Sequence, residues 1–347
     1  MLLKSVNKNL WGICVDIKRA FWGIITSFFI TTVFLLVYIP FLKKKRAGQE
    51  ILCYVKEHKS KSGTPTMGGI AFVLSTVLVS FLFFQGQKRL AFLALAVFLA
   101  YGVTGFLDDF LKIKNKRNLG LRAYQKVILQ LGIAFILAFF CYDNALLSGS
   151  LILPFGYGEV DIGWWIVPLV IFIFLAMSNG VNLTDGLDGL ATISSLLYFL
   201  ASSAFIGILA KEAHESGRIM IFEEYQNLSI VCFCLVGSLF SFLIFNSFPA
   251  KIFMGDTGSL AIGALCAVVL ILSKLTLLVP FLGVTFLLSC VSVIVQVVGY
   301  KSIKKRLLLK APYHHHLQLC GLSETRISVL YGTITAIVCL ICFIFWF

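Results

Sequence analysis

Charge is what this sequence has little of. Only 13% of its 347 residues are Asp, Glu, Lys or Arg, while 59% are hydrophobic. A soluble chain carries roughly a quarter charged residues, so an ordinary water-soluble globule is excluded. The composition is that of a polytopic membrane protein. Acids are scarcer still, 16 against 29 bases, and a carboxylate beside an apolar run therefore needs a reason to be there. The ten Cys are scattered, mostly inside apolar runs (Cys232, Cys234, Cys266, Cys290, Cys339, Cys342). They read as small membrane-embedded hydrophobes rather than zinc ligands. No cleavable signal peptide is expected, because the first apolar run begins near Phe21 and is long enough to span. No nucleic-acid partner is expected either.

What is there is a series of apolar runs. Ten candidate spans cover 21–42, 68–84, 90–107, 127–142, 164–177, 190–209, 228–245, 259–273, 275–298 and 327–347. Several fall short of the ~20 residues a spanning helix needs, and their polar ends are expected to continue the helices into the interface. The expected architecture is a single all-α membrane domain over 1–347. Segment 151–162, with its glycines, reads as a short hairpin, and 211–227 as a solvated connection. With the 43–61 loop placed inside, the inner loops hold 20 of the 29 Lys and Arg and the outer segments 9, while the acids divide 8 and 8. The positive-inside rule then makes the odd-numbered loops cytoplasmic and both termini extracytoplasmic. Every polar motif falls on the cytoplasmic side.

The central motif is Ser178-Asn-Gly-Val-Asn-Leu-Thr-Asp-Gly-Leu-Asp-Gly-Leu190, which holds no Lys or Arg. Its carboxylates require partners from elsewhere, such as a metal ion or a polar substrate. If the preceding helix continues, Asn179, Asn182, Asp185 and Asp188 recur at i, i+3 spacing on one face. The plainer alternative is a polar loop capping the next helix. Four further motifs join it. Lys61-Ser-Gly-Thr-Pro-Thr66-Met-Gly-Gly69 places turn residues and hydroxyls before a helix start, suited to phosphate but lacking the P-loop order. Asp108 and Asp109 end the third span, either facing a site or balancing nearby lysines. Asp256, between glycines in Phe253-Met-Gly-Asp-Thr-Gly-Ser259, either caps a helix or binds a hard cation. Phe253 either stacks on a base or packs in the core. His314, His315 and His316 suit phosphate or metal contacts, and the Asp, Thr, Asn and Lys around them favour Mg²⁺ over zinc.

Jointly, Gly63-Thr-Pro-Thr-Met-Gly-Gly69, Phe106-Leu-Asp-Asp109, Asn182-Leu-Thr-Asp-Gly-Leu-Asp-Gly189, Phe253-Met-Gly-Asp-Thr-Gly-Ser259 and Pro312-Tyr-His-His-His316 resemble the phospho-N-acetylmuramoyl-pentapeptide transferases. These belong to the polyprenyl-phosphate N-acetylhexosamine-1-phosphate transferase superfamily. The unbroken triple His separates the resemblance from the GlcNAc-1-phosphate branch, where that motif is similar to His-Ile-His-His. One departure is Leu317-Gln318, where the family often has Phe-Glu.

The resemblance implies a multi-pass enzyme of the bacterial cytoplasmic membrane with ten transmembrane helices. Its implied site is a cytoplasmic cleft open toward the lipid, and its members often form homodimers. The implied reaction moves phospho-MurNAc-pentapeptide from UDP-MurNAc-pentapeptide to undecaprenyl phosphate, forming lipid I and UMP with Mg²⁺ as cofactor. By motif position, the resemblance makes Asp256 the metal ligand. It places Lys61, Thr66, Asp185, Asp188, Asn246, Phe253 and Gln296 around the nucleoside and diphosphate, and Asn179, Asn182, His315 and His316 around the phosphate and sugar. Asp108 and Asp109 become the acidic pair beside the lipid phosphate. A transporter is the rival from another class, since intramembrane acids also mark ion pathways.

Overall fold

The computed structural model describes residues 2–45, 63–115 and 120–346, with side chains from residue 17 onward. Twelve α-helices account for most of the described chain. In order they are α1 (Leu2–Lys44), α2 (Gly69–Phe83), α3 (Arg89–Asn115), α4 (Ala123–Asp143), α5 (Ile166–Thr184), α6 (Leu190–Glu215), α7 (Ile219–Asn246), α8 (Gly255–Leu272), α9 (Val279–Leu282), α10 (Val284–Ile303), α11 (Tyr313–Leu319) and α12 (Glu324–Phe345). Nine are long and apolar enough to cross a bilayer, and α2, at 15 residues, is a shorter apolar helix. Helices are the expected solution, because within hydrocarbon each backbone N–H and C=O must find a partner inside its own segment. The chain is a multi-pass, all-α membrane protein.

The helices outrun the apolar spans in several places. Helix α3 continues past Leu107 to Asn115 and so carries Asp108 and Asp109 on its last turns. The expected connection over 211–227 is instead mostly helical: α6 runs to Glu215 and α7 begins at Ile219. Residues 211–220 are nearly all exposed, as expected of a solvated connection, whereas buried Glu224 and Asn227 farther along α7 hold the neighbouring 85–90 loop. The expected span 275–298 is broken into a 3-10 turn, the four-residue α9 and, after Gly283, α10.

Helix α8 is the axis of the bundle. Nearly all of its residues are buried, and it packs on α2, α3, α5 and α6. Close approach of α3 depends on Gly105, where an added Cβ would collide with the backbone carbonyl of Asp256. Around this core, α1, α4, α10 and α12 turn large apolar side chains outward, among them Val37, Ile136, Val298 and Ile344, as lipid-facing helices do.

The two ends of α8 lie about 27 Å apart at 1.5 Å per residue. Beyond its C-terminus lies the hairpin anticipated over 151–162: β1 (Ser150–Ile152) pairs antiparallel with β2 (Glu159–Asp161). Ile152 N–H donates to the Lys274 carbonyl at 2.9 Å, and the Lys274 ammonium pairs with Glu159. The same end holds the 85–90 segment, gripped by α7. Glu224 accepts the N–H groups of Arg89 (3.1 Å) and Leu90 (2.8 Å), and Glu223 accepts that of Gln87 (2.9 Å). At the N-terminal end of α8 the ends of α3, α5 and α7 converge.

Candidate active site

The site is built where the last turns of α3 meet the first turn of α8. Asp109 is fully buried. It accepts the backbone N–H of Asp256 (3.2 Å), the N–H of Thr257 (2.9 Å) and the Thr257 hydroxyl (2.7 Å). The N-terminal N–H groups of a helix have no partner within it and favour negative charge. Here that charge comes from a neighbouring helix. Asp256 is thereby released from capping its own helix, and its carboxylate turns to other groups. Oδ2 meets Lys126 Nζ at 2.7 Å and Lys112 Nζ at 3.3 Å, and Oδ1 accepts a hydrogen bond from Asn182 Nδ2 at 2.8 Å. The same Asn182 amide reaches Ser259 Oγ at 2.8 Å.

Asp108 stands one residue, roughly 100°, around α3 from Asp109. It accepts the Leu121 N–H at 2.8 Å, fixing the entry to α4, and pairs with Lys112 at 2.6 Å. Ligand oxygens of Asp108, Asp109 and Asp256 all lie within 4.8 Å of one another, so the trio can hold a metal ion. Carboxylates with an amide and a hydroxyl beside them form a hard oxygen set, suited to Mg²⁺ rather than to a thiophilic metal.

The turn between α5 and α6 continues the site. Helix α5 ends at Thr184, but the Asp185 N–H still bonds the Val181 carbonyl at 3.1 Å, so the expected i, i+3 face runs from Asn179 through Asp185 and breaks before Asp188. Asp185 accepts the Gly255 N–H. Loss of hydration there holds its carboxyl well above the usual carboxylate range, and the charges of Asp256, Asp109 and Asp188 act the same way. Asp188 accepts the Ala250 N–H at 3.0 Å, which ties the turn to the loop after α7. Gly186 lies against the histidines: a Cβ there would stand 2.5 Å from His314 Nε2 and 3.3 Å from His315 Nε2. That contact joins the Asp turn to α11.

The remaining expected site residues divide. Thr66 is buried beside Gly255. Phe253 is half-buried, its backbone bonded to Pro65 (2.8 Å) and Gly68 (2.9 Å), so these two motifs form one floor. His314 is fully buried, and neither ring nitrogen has a hydrogen-bond partner among the described residues. Burial, then His315 and Lys310, holds its imidazole well below the usual histidine range. His315 meets Gln318 at 3.3 Å, and His316 accepts the Leu309 N–H at 3.2 Å. Three amides engage the scaffold. Asn246 links Thr192 (2.7 Å) to the Ile252 carbonyl (3.0 Å), Asn179 turns to buried Gln130 (3.1 Å), and Gln296 holds both backbone groups of Leu308. Lys61 lies outside the described residues.

Sequence reasoning missed Lys126 and Thr257 and gave Lys112 only a balancing role. Lys112 follows Asp108 by one helical turn, a spacing that signals a pair. Lys126 comes from a separate helix, and nothing near it in sequence marks it.

An apolar helical bundle with clustered carboxylates and ammoniums at one end defines a multi-pass membrane protein with a cation-ready polar site. The model of Glycosyl transferase family 4 matches residues 90–274, and the Phospho-N-acetylmuramoyl-pentapeptide-transferase signature 1 matches 61–73. Proteins named phospho-N-acetylmuramoyl-pentapeptide-transferase are similar over nearly their whole length. Those of Clostridium kluyveri (41% identity; 94% of this chain, 99% of the relative), Clostridium novyi (39%; 93% and 95%) and Geobacillus sp. (41%; 90% and 93%) are three. The chain belongs to the phospho-N-acetylmuramoyl-pentapeptide transferase family.

Proposed function

We propose that this transferase moves phospho-MurNAc-pentapeptide from UDP-MurNAc-pentapeptide to undecaprenyl phosphate, forming lipid I and releasing UMP. The observation that carries the chemistry is the Asp108, Asp109 and Asp256 cluster, faced by Lys112 and Lys126 at one end of the bundle. Two polyanions have to meet, and two fixed ammoniums reduce their repulsion.

In this reading the acceptor phosphate attacks the β-phosphorus directly. A new P–O bond forms, the bridging P–O bond breaks, and its electron pair leaves with UMP. A phosphate monoester is mostly dianionic near neutral pH, its second pKa being about 6, so it needs positioning more than a covalent carboxylate relay. Asp109 holds the first turn of α8, and with it Asp256, in place. Asp108 faces the lipid phosphate and Lys126 draws in the anionic groups. Lys61, Thr66, Asp185, Asp188 and Phe253 line the nucleotide side, with Phe253 beside the uracil. Asn182, His314, His315 and His316 contribute to the phosphate and sugar surroundings. The cofactor is Mg²⁺ held by Asp256 with Asp108 and Asp109, and when bound it supplies charge neutralisation for the diphosphate. The site faces the cytoplasm, both termini lie outside, the chain forms one domain, and the enzyme pairs as a homodimer.

The deciding experiment is UMP release from UDP-MurNAc-pentapeptide in detergent, with and without undecaprenyl phosphate. Release that requires the lipid and Mg²⁺, and fails with UDP-GlcNAc, supports the proposal. A stoichiometric burst of UMP without lipid would overturn direct attack, and preference for UDP-GlcNAc would overturn the substrate assignment.

A further inference from the structure

One cation in the cluster reaches further than a simple ion pair requires. Lys112 Nζ lies 2.6 Å from Asp108 Oδ2, 3.3 Å from Asp256 Oδ2 and 3.8 Å from Asp109 Oδ1. Lys126, by contrast, pairs with Asp256 alone among the described residues, at 2.7 Å. The Lys112 side chain is 16% exposed and that of Asp109 is 0%, so water screens these interactions weakly. Carboxylates of the same three residues are the ones offered to a metal ion. A cation seated on them meets an ammonium attracted by the same charges.

We infer that Lys112 sets how strongly Asp108, Asp109 and Asp256 hold a divalent cation, weakening the hold so that the cation stays only together with the substrate's diphosphate. The inference rests on reading the cluster as a metal centre. Formal charge explains the direction. Three carboxylates and two ammoniums leave one net negative charge, and a divalent ion turns that into one net positive charge. A nucleoside diphosphate then restores the balance, so cation and diphosphate favour each other. Without the Lys112 charge the cation alone neutralises the cluster, and that mutual dependence shrinks. Lys112 is in this sense a positioning residue: it acts through the metal ligands and through the order in which charge assembles. Its place on α3, one turn beyond Asp108, lets the side chain swing aside while the helix stays intact to Asn115.

The test measures Mn²⁺ binding to purified full-length protein in detergent, from the loss of the free-ion paramagnetic signal. It is run with and without UDP, correcting for Mn²⁺ held by UDP in solution. Lys112→Met is expected to bind Mn²⁺ about tenfold more tightly than wild type when UDP is absent, and to gain less when UDP is added. Lys112→Arg, which keeps the charge, is expected to stay near wild type. Equal or weaker Mn²⁺ binding by Lys112→Met, with an unchanged helical melting curve, would make Lys112 an ordinary structural ion pair and overturn the inference. If Lys112→Met does not fold, the wild type decides: Mn²⁺ affinity that UDP leaves unchanged overturns it. Identical Mn²⁺ binding by wild type and Asp256→Asn would instead overturn the metal-centre reading itself.

Discussion

The two ends of the bundle use carboxylates in opposite ways. At the hairpin end, Glu224 is buried against the first N–H groups of α3, and Glu159 pairs with Lys274. The acids there serve backbone N–H groups or a lysine, and among the described residues no cluster of three or more metal-ligating side chains forms at that end. At the other end, Asp109 does the same capping work for α8, yet Asp108 and Asp256 crowd in beside it with two ammoniums. Capping alone needs one carboxylate. Asp108 also holds the Leu121 N–H, but Asp256 caps nothing and meets two ammoniums instead, and that surplus of charge is what supports the proposed site.

Substitutions at the two ends should therefore separate cleanly. The largest effect is expected from Asp256→Asn, with turnover down about a thousandfold and the fold retained, because an oxygen anion is lost where charge must be neutralised. UMP release beside a thermal melt checks it, and near-normal turnover would erase the distinction between the ends. Gly105→Ala comes next. Its Cβ meets the Asp256 backbone and displaces the α8 start, and a shift of roughly 1 Å is worth about a hundredfold in rate. Glu224→Gln at the hairpin end is expected to cost about 1–2 kcal/mol of stability while leaving turnover near wild type, as denaturation midpoints and UMP release will show.

Sidedness sharpens the same contrast. In intact cells an impermeant thiol reagent should label a cysteine placed at Ser148 and spare Cys320, which is exposed at the acid end. The reverse pattern would put the site outside. The smallest effect concerns His314. Its folded pKa is depressed, so the stability it contributes is present above its unfolded pKa of about 6.5 and is lost as pH falls, by at most about 1.4 kcal/mol per unit. Melting curves between pH 7 and 5 should be flatter for His314→Gln than for wild type.

Much of this was legible in the sequence, for physical reasons that vary by residue. The apolar runs located all ten of the longer helices, since a bilayer leaves few alternatives to a helix. Asp108, Asp109 and Asp256 stood out because isolated acids beside apolar runs are expensive. Lys126 was invisible: its partnership with Asp256 depends on how α4 packs, not on any local spacing. The amides of Asn246 and Gln296, expected beside the nucleotide, close backbone hydrogen bonds of neighbouring loops, and composition carries the same signal for a side chain that braces a loop as for one that meets a substrate. Segment 211–227 is solvated at its start, as its composition implies, but Glu223 and Glu224 within α7 serve N–H groups of the neighbouring loop, which no local spacing signals.

Helix α2 has only 15 residues, about 22 Å of helix against a hydrocarbon layer of roughly 30 Å. The segment leading into it is bonded to Phe253 through Pro65 and Gly68, and Gly69 to Met254, so the floor of the site is tied to the start of the shortest apolar helix. An acceptor phosphate can reach that floor while its polyprenyl tail remains in the bilayer. The reaction then draws on a two-dimensional reservoir: its rate follows the surface fraction of acceptor in the membrane or micelle, and adding inert detergent slows it by dilution within the surface even when the bulk concentration of lipid is unchanged.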